Sequence, residues 1–158
     1  MEFTKKFLVD GMLGSLARKL RILGYDVEFD KESDDEELLR MATDSSRILV
    51  TSDINLYLRA KKIRLTTTLV SARTDKEQLF QVLYGAGIHK IEAGFSPRCS
   101  VCNGVLVDSG ESTRIGKKVY LCTVCGKKYW QGSHWRKLES LFMDVNRILS
   151  DFKDKDAT

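Results

Sequence analysis

The chain has 158 residues, 42% of them hydrophobic and 30% charged, with 11 Gly, one Pro and four Cys. That length suits one domain with a small appendage. It is too apolar for a disordered chain and too poor in Gly and Pro for collagen or low complexity. The net charge of +4 is unevenly placed: residues 1–95 carry 15 basic and 15 acidic side chains, and residues 96–158 carry 11 and 7. A balanced body with an acidic knot (Glu28 to Glu37), followed by a basic stretch, suits a polyanionic partner better than an acidic protein would. No run approaches the roughly 18 apolar residues of a membrane span, and Met1 to Asp10 lacks the pattern of a secretory signal. A soluble, cytoplasmic protein without a membrane partner is therefore expected.

Strands and helices alternate along the first part. Phe7-Leu8-Val9 reads as a buried strand ending at Asp10-Gly11. Leu13, Leu16, Leu20 and Leu23 recur at helical spacing, with Arg18, Lys19 and Arg21 on other faces and Gly24 as the stop. Val27–Phe29 is a second strand. Ser33-Asp34-Asp35-Glu36 has capping-box spacing and opens a helix through Leu38, Leu39 and Ala42. Arg47–Thr51 is a third strand, followed by Asp53 and a helix through Leu56 and Ala60. Arg64–Val70 is a fourth. Thr74-Asp75-Lys76-Glu77 is another capping box, opening a helix through Leu79, Val82 and Leu83. This alternation implies a parallel sheet covered by helices on both faces, with ligands beyond the carboxyl ends of its strands.

Three carboxylates follow strand ends: Asp10, Asp30 and Asp53. Asp34 to Glu37 open a helix at the same edge. Crowded carboxylates repel unless a cation lies among them, and hard oxygen donors suit Mg²⁺ or Mn²⁺. Such a rim fits phosphodiester hydrolysis. Each acid also has a local reading: Asp10 and Asp30 as turn formers, Asp53 as an N-cap, Glu36 as the capping-box partner, and Asp34 and Glu37 as first-turn charges. No Gly-rich phosphate loop is present.

All cysteines fall in one window, Cys99-x2-Cys102 and Cys122-x2-Cys125, nineteen residues apart. Four thiolates at this spacing predict a closed, structural zinc ribbon. The composition shift at Gly94-Phe95-Ser96-Pro97 marks a boundary. The expected division is 1–94, an α/β domain; 95–132, the ribbon; 133–150, a helix; and 151–158, a flexible tail. After the ribbon, Lys127, Lys128, Tyr129, Trp130, His134, Trp135 and Arg136 interleave cations with aromatics, as single-stranded nucleic acid requires. The tryptophans could equally pack the ribbon onto the body. Leu138 to Leu149 is an amphipathic helix that docks on the body or on a second copy, the latter giving an oligomer.

The segments Phe7–Arg18, Leu20–Asp26, Asp35–Leu39 and Arg47–Asp53, the cysteine pairs, and Tyr-Trp-x-Gly-Ser-His-Trp at Tyr129–Trp135 together resemble the Mut-seven C-terminal RNase domain family, a branch of the PIN-like nucleases. The resemblance covers roughly residues 6–138. It implies a PIN-like α/β fold followed by a zinc ribbon, and Mg²⁺- or Mn²⁺-dependent cleavage of RNA, with tRNA or the ribosome among the partners. It implies Asp10, Asp35 and Asp53 as metal ligands and Thr51 as the neighbouring hydroxyl. Glu36 rivals Asp35, and Asp75 is the nearest match to a fourth acid. The alternative function is a non-catalytic RNA- or ribosome-binding protein of the same fold.

Overall fold

The computed structural model describes residues 5–92 and 97–156. Residues 1–4 and the boundary positions Gly94–Ser96 lie outside them. The chain runs β1 (Lys6–Asp10), α1 (Gly14–Ile22), β2 (Asp26–Asp30), α2 (Asp35–Ser45), β3 (Ile48–Thr51), α3 (Ile54–Lys62), β4 (Thr67–Leu69) and α4 (Asp75–Gly85), with β1 to β4 forming a parallel sheet in the order β2-β1-β3-β4. The antiparallel ribbon follows, with β5 (Leu106–Ser112), β6 (Lys118–Cys122) and β7 (Lys128–Tyr129), and then α5 (Ser133–Asp156). This is the expected α/β architecture, a parallel sheet flanked by helices.

The central strands bury both faces, because each successive side chain points to the opposite layer. Phe7 and Val9 of β1 and Ile48 and Val50 of β3 join a core with α1, α4 and α5. Leu8 and Leu49 point the other way, into a core with Leu38, Leu39 and Ala42 of α2 and Leu56 and Ala60 of α3. Each of these strand residues is at most 7% exposed.

Two boundaries differ from expectation. The fourth strand begins at Thr67 instead of Arg64, because residues 64 and 65 terminate α3: Leu65 N–H donates to Ala60 C=O, Arg64 N–H donates to Lys61 C=O, and Arg64 takes the left-handed conformation. That pairing closes the helix before extension can begin. The cap of α2 is Asp34, not Ser33: its carboxylate accepts from Glu37 N–H at 2.9 Å, and Glu36 takes no part in a capping box. Ser33 is drawn away, donating its hydroxyl to Asp30 at 2.7 Å.

Helix α5 docks on the body. Leu138, Phe142, Val145 and Leu149 are buried in the larger core, so its apolar stripe is covered by the same chain. Asn146 adds a two-way amide clamp, accepting from Ile91 N–H and donating to Ile91 C=O. The helix runs past residue 150 to Asp156, and Phe152 packs its ring against Phe80 and Tyr84. No described helix is long and apolar enough to cross a membrane.

The strand order places a topological switch point between β1 and β3. From β1 the chain moves outward to β2 through α1, and from β3 it moves the other way to β4 through α3. The two helices leave adjacent strands onto opposite faces of the sheet, which opens a crevice at the carboxyl ends of β1 and β3.

Candidate functional site

Asp10 closes β1, and Thr51 closes β3 directly beside it. Thr51 is fully buried, and its hydroxyl is used twice. It donates to Asp10 Oδ2 at 3.0 Å and accepts from the Asp53 N–H at 3.0 Å. Asp10 Oδ2 and the Asp53 backbone nitrogen therefore lie within 6 Å of each other, joined through one oxygen. Asp53 caps α3 through Oδ1, accepting from Asn55 N–H at 2.8 Å and Leu56 N–H at 3.2 Å. The capping role is thus real, and it engages Oδ1 of the carboxylate.

The other acids are engaged differently. Asp30 is a turn former: it accepts from the N–H groups of Glu32 and Ser33 and from the Ser33 hydroxyl, and the Ser33 hydrogen bonds hold its carboxyl below the usual range. Asp35, on the first turn of α2, faces Arg59 at 3.8 Å, and Arg59 also bonds Glu36. The hydrogen bond goes to Glu36, the weaker contact to Asp35. Asp75 sits 3.4 Å from Lys19. Among the described residues, the group of metal-ligating side chains that converges is the four cysteines; Asp10, Asp35 and Asp53 do not form such a group.

The ribbon sulfurs lie within 4.8 Å of one another, with Cys99–Cys125 at 3.6 Å and Cys102–Cys122 at 3.4 Å. These separations far exceed the roughly 2.05 Å of a disulfide. They approach the edge of a tetrahedron whose metal–sulfur bonds are about 2.3 Å. The four cysteines can therefore hold a zinc ion. The surrounding donors support thiolate at Cys122 and Cys99, whereas, against an opposing backbone N–H, burial and the neighbouring thiols push Cys102 up to about 12. Val124 and Cys125 N–H groups point at Cys122 Sγ; against the opposing effect of burial they bring that thiol down to about 6. Burial likewise raises Cys99, but the Tyr129 hydroxyl and neighbouring N–H groups carry it net downward. Tyr129 is itself pushed up to about 12 by burial and by Cys99, and its hydroxyl lies 2.9 Å from Cys99 Sγ. Gly104 is needed for close approach: a Cβ there would lie 2.7 Å from Cys122 Sγ.

The ribbon is seated on β2, an edge strand, by polar contacts not anticipated from the sequence. Arg21, expected on an outer face of α1, is only 7% exposed. Its guanidinium donates to Val27 C=O at 2.9 Å and to Ser100 C=O at 3.1 Å. Asn103, in the left-handed conformation, accepts from Val27 N–H and donates to Asp26. Asp26 in turn pairs at 2.9 Å with Arg47, which is 9% exposed. Burial pushes the Asp26 carboxyl up, but hydrogen bonds from Arg47 and Asn103 outweigh it and leave the group below its ordinary 3.8. A depressed carboxyl contributes stability above its ordinary value and loses it as the pH falls through its folded one. Asp26→Ala should therefore cost about 3 kcal/mol near neutrality, the low end for breaking a buried pair. Urea unfolding of both proteins from about pH 5 to about pH 3 should show the gap closing in acid; a gap independent of pH would deny the carboxylate this role.

Between ribbon, α1 and the start of α5 lies a cleft of about 930 Å³. Lys127, Lys128, Tyr129, Trp130, His134 and Trp135 all line it; Arg136, exposed on α5, does not. The packing reading of the tryptophans holds for neither in full. Trp130 is 56% exposed, and Trp135 is half-buried with Nε1 donating to Glu139. Lys127 Nζ stands 5.2 Å from the Tyr129 ring centre, a cation–π distance. Arg18, Lys19, Arg98 and Lys137 complete the cationic lining, and nothing in the sequence around Arg18 and Lys19 signals that they meet the ribbon.

The family model described as Mut7-C RNAse domain matches residues 5–142. No curated protein matches the chain, and no solved structure does.

Proposed function

The chain belongs to the Mut7-C RNAse domain family, and on that premise we propose that it hydrolyses RNA phosphodiester bonds at the β1–β3 crevice, with Mg²⁺ or Mn²⁺ held by Asp10, Asp35 and Asp53. A ribonuclease-type function follows from the family; the observation supporting this location is the Thr51 hydroxyl, which bonds the Asp10 carboxylate and the Asp53 backbone N–H at the switch point. The donor set fits such an ion, being hard carboxylate and hydroxyl oxygens. The ion, when bound, supplies a water able to attack at neutral pH and charge to stabilise the departing oxygen.

The chain's own residues prepare that chemistry. Thr51 fixes the Asp10 carboxylate through Oδ2, and capping fixes Asp53 through Oδ1. Arg59 takes the hydrogen bond of Glu36 and holds Asp35 only loosely at 3.8 Å, which favours Asp35 over Glu36 as the third acid. Asp75 is set aside by its ion pair with Lys19. RNA is held in part by the ribbon and by the Tyr129–Arg136 segment, and the ribbon's zinc is structural. The protein works in the cytoplasm on cellular RNA.

A second reading, a non-catalytic RNA- or ribosome-binding protein, draws support from the failure of the three acids to converge. Purified protein incubated with mixed cellular RNA separates the two. Cleavage that appears with added Mn²⁺, and leaves 5′-phosphates, supports the nuclease. RNA bound but intact at every divalent-ion concentration would establish the second reading.

A further inference from the structure

An RNA strand must be held as well as cut, and a cleft of about 930 Å³ rich in cations lies against α1, not on the carboxylates themselves. We propose that the cleft between the ribbon and α1 is a groove for single-stranded RNA, walled on one side by Lys127 and Lys128 and on the other by Arg18 and Lys19, with Trp130 as its stacking platform. This rests on the nuclease reading and extends it by naming the form of the substrate and a wall contributed by the body.

Charge is the first support. The cleft is lined by six cationic side chains and a single carboxylate, Asp75, which Lys19 pairs at 3.4 Å, while Lys128 pairs at 3.0 Å with Glu111, outside the lining. The chain as a whole carries only +4, so the surplus is concentrated here. Cations arrayed along a concave surface track a phosphate backbone.

Aromatic exposure is the second. Trp130 leaves 56% of its surface in solvent although α1 and α5 offer apolar cover nearby in Ile22, Leu138 and Leu141. An indole so placed presents a face to an unpaired base. A duplex, with its bases already stacked, offers phosphates and a shallow groove instead.

Placement is the third. Ser15 and Arg18 line the cleft from the start of α1, and Ser15 stands five residues after Asp10, beyond a turn in which Leu13 N–H bonds Asp10 C=O at 3.0 Å. Asp75 lines it from the first turn of α4, which follows β4. Both helix starts lie at the carboxyl edge of the sheet, so a strand in the groove leads toward the crevice.

The test is binding of a fluorescently labelled single-stranded oligoribonucleotide, and of its duplex, to the full zinc-loaded chain carrying Asp53→Asn, without added Mg²⁺ or Mn²⁺. The single strand should bind more tightly than the duplex. Arg18→Ala, an exposed substitution, should weaken binding and flatten the salt dependence by about one phosphate contact. Trp130→Ala should weaken it about 5- to 150-fold, with Trp130→Phe recovering most of the loss. Affinity and salt slope unchanged by Arg18→Ala, or a duplex bound as tightly as the single strand, would overturn the groove. Since nothing is cleaved in this assay, a failed nuclease reading would leave the binding result standing, and a failed groove would leave cleavage by the unsubstituted chain standing.

Discussion

Asp53→Asn should abolish RNA cleavage, by at least about 100-fold, the scale of removing one group that stabilises transition-state charge, while leaving the fold intact. The substitution isolates the charge because of where Asp53 sits. Its Oδ1 accepts two N–H bonds at the start of α3, and an Asn oxygen caps a helix as well as an Asp oxygen does. The Asp53 backbone N–H also keeps its bond to Thr51. Only the negative charge leaves the rim. Asp53→Ala removes the cap as well and should lower stability by about 1 kcal/mol. The pair of variants thus separates a catalytic from a structural role: equal activity loss with unequal stability is the expected pattern. Undiminished cleavage by Asp53→Asn would remove Asp53 from the chemistry, and a loss that merely follows stability across the two variants would leave it a helix cap.

Withdrawing a zinc ion held by the four cysteines should be a large structural perturbation of this chain. The window from Cys99 to Cys125 buries little beyond Cys99, Cys122 and Val119, so an apolar core cannot hold it. Structural zinc in comparably small units contributes about 10–16 kcal/mol. Cys122→Ser, or zinc withdrawal by a strong chelator, should unfold the ribbon and expose its amides between Arg98 and Tyr129 to rapid hydrogen exchange. β1 and β3 should stay protected, because their core lies with α1 to α5. The seam should weaken as well, since the Arg21 and Asn103 contacts lose their partners on one side. The Tyr129 hydroxyl, held on Cys99 Sγ and Ser100 N–H, would be released too, so RNA affinity should fall with the metal. Metal content of one zinc per chain and exchange protection measured with and without it check this; ribbon amides equally protected after the metal is gone would show that zinc does not hold the fold.

Legibility in the sequence followed the range of the forces involved. The elements of the sheet domain were readable because Phe7-Leu8-Val9 and Ile48-Leu49-Val50 are unbroken apolar runs, while α1 and α5 repeat Leu at helical spacing. The cysteine pairs were readable because ligand spacing is local chemistry. Asp53 as the cap of α3 was readable, because capping is local chemistry. Local signals misled where two neighbouring side chains compete for one job: Ser33 and Asp34 are both good caps, and the bond from Ser33 to Asp30 decides between them. The burial of Arg21 was not legible, because it depends on carbonyls of Ser100 and Val101, about eighty residues away.

By itself, then, the sequence determined the alternation of strands and helices, the cysteine ligand set, and the family. The order β2-β1-β3-β4 brings Asp10 beside Thr51, and the ribbon's seat on β2 puts Arg18 and Lys19 in one cleft with Trp130; neither is legible before the chain is folded. The physical reason is that periodicity and ligand spacing are written within a few turns of chain, whereas a hydrogen bond spanning forty or eighty positions exists only once burial has assembled both partners.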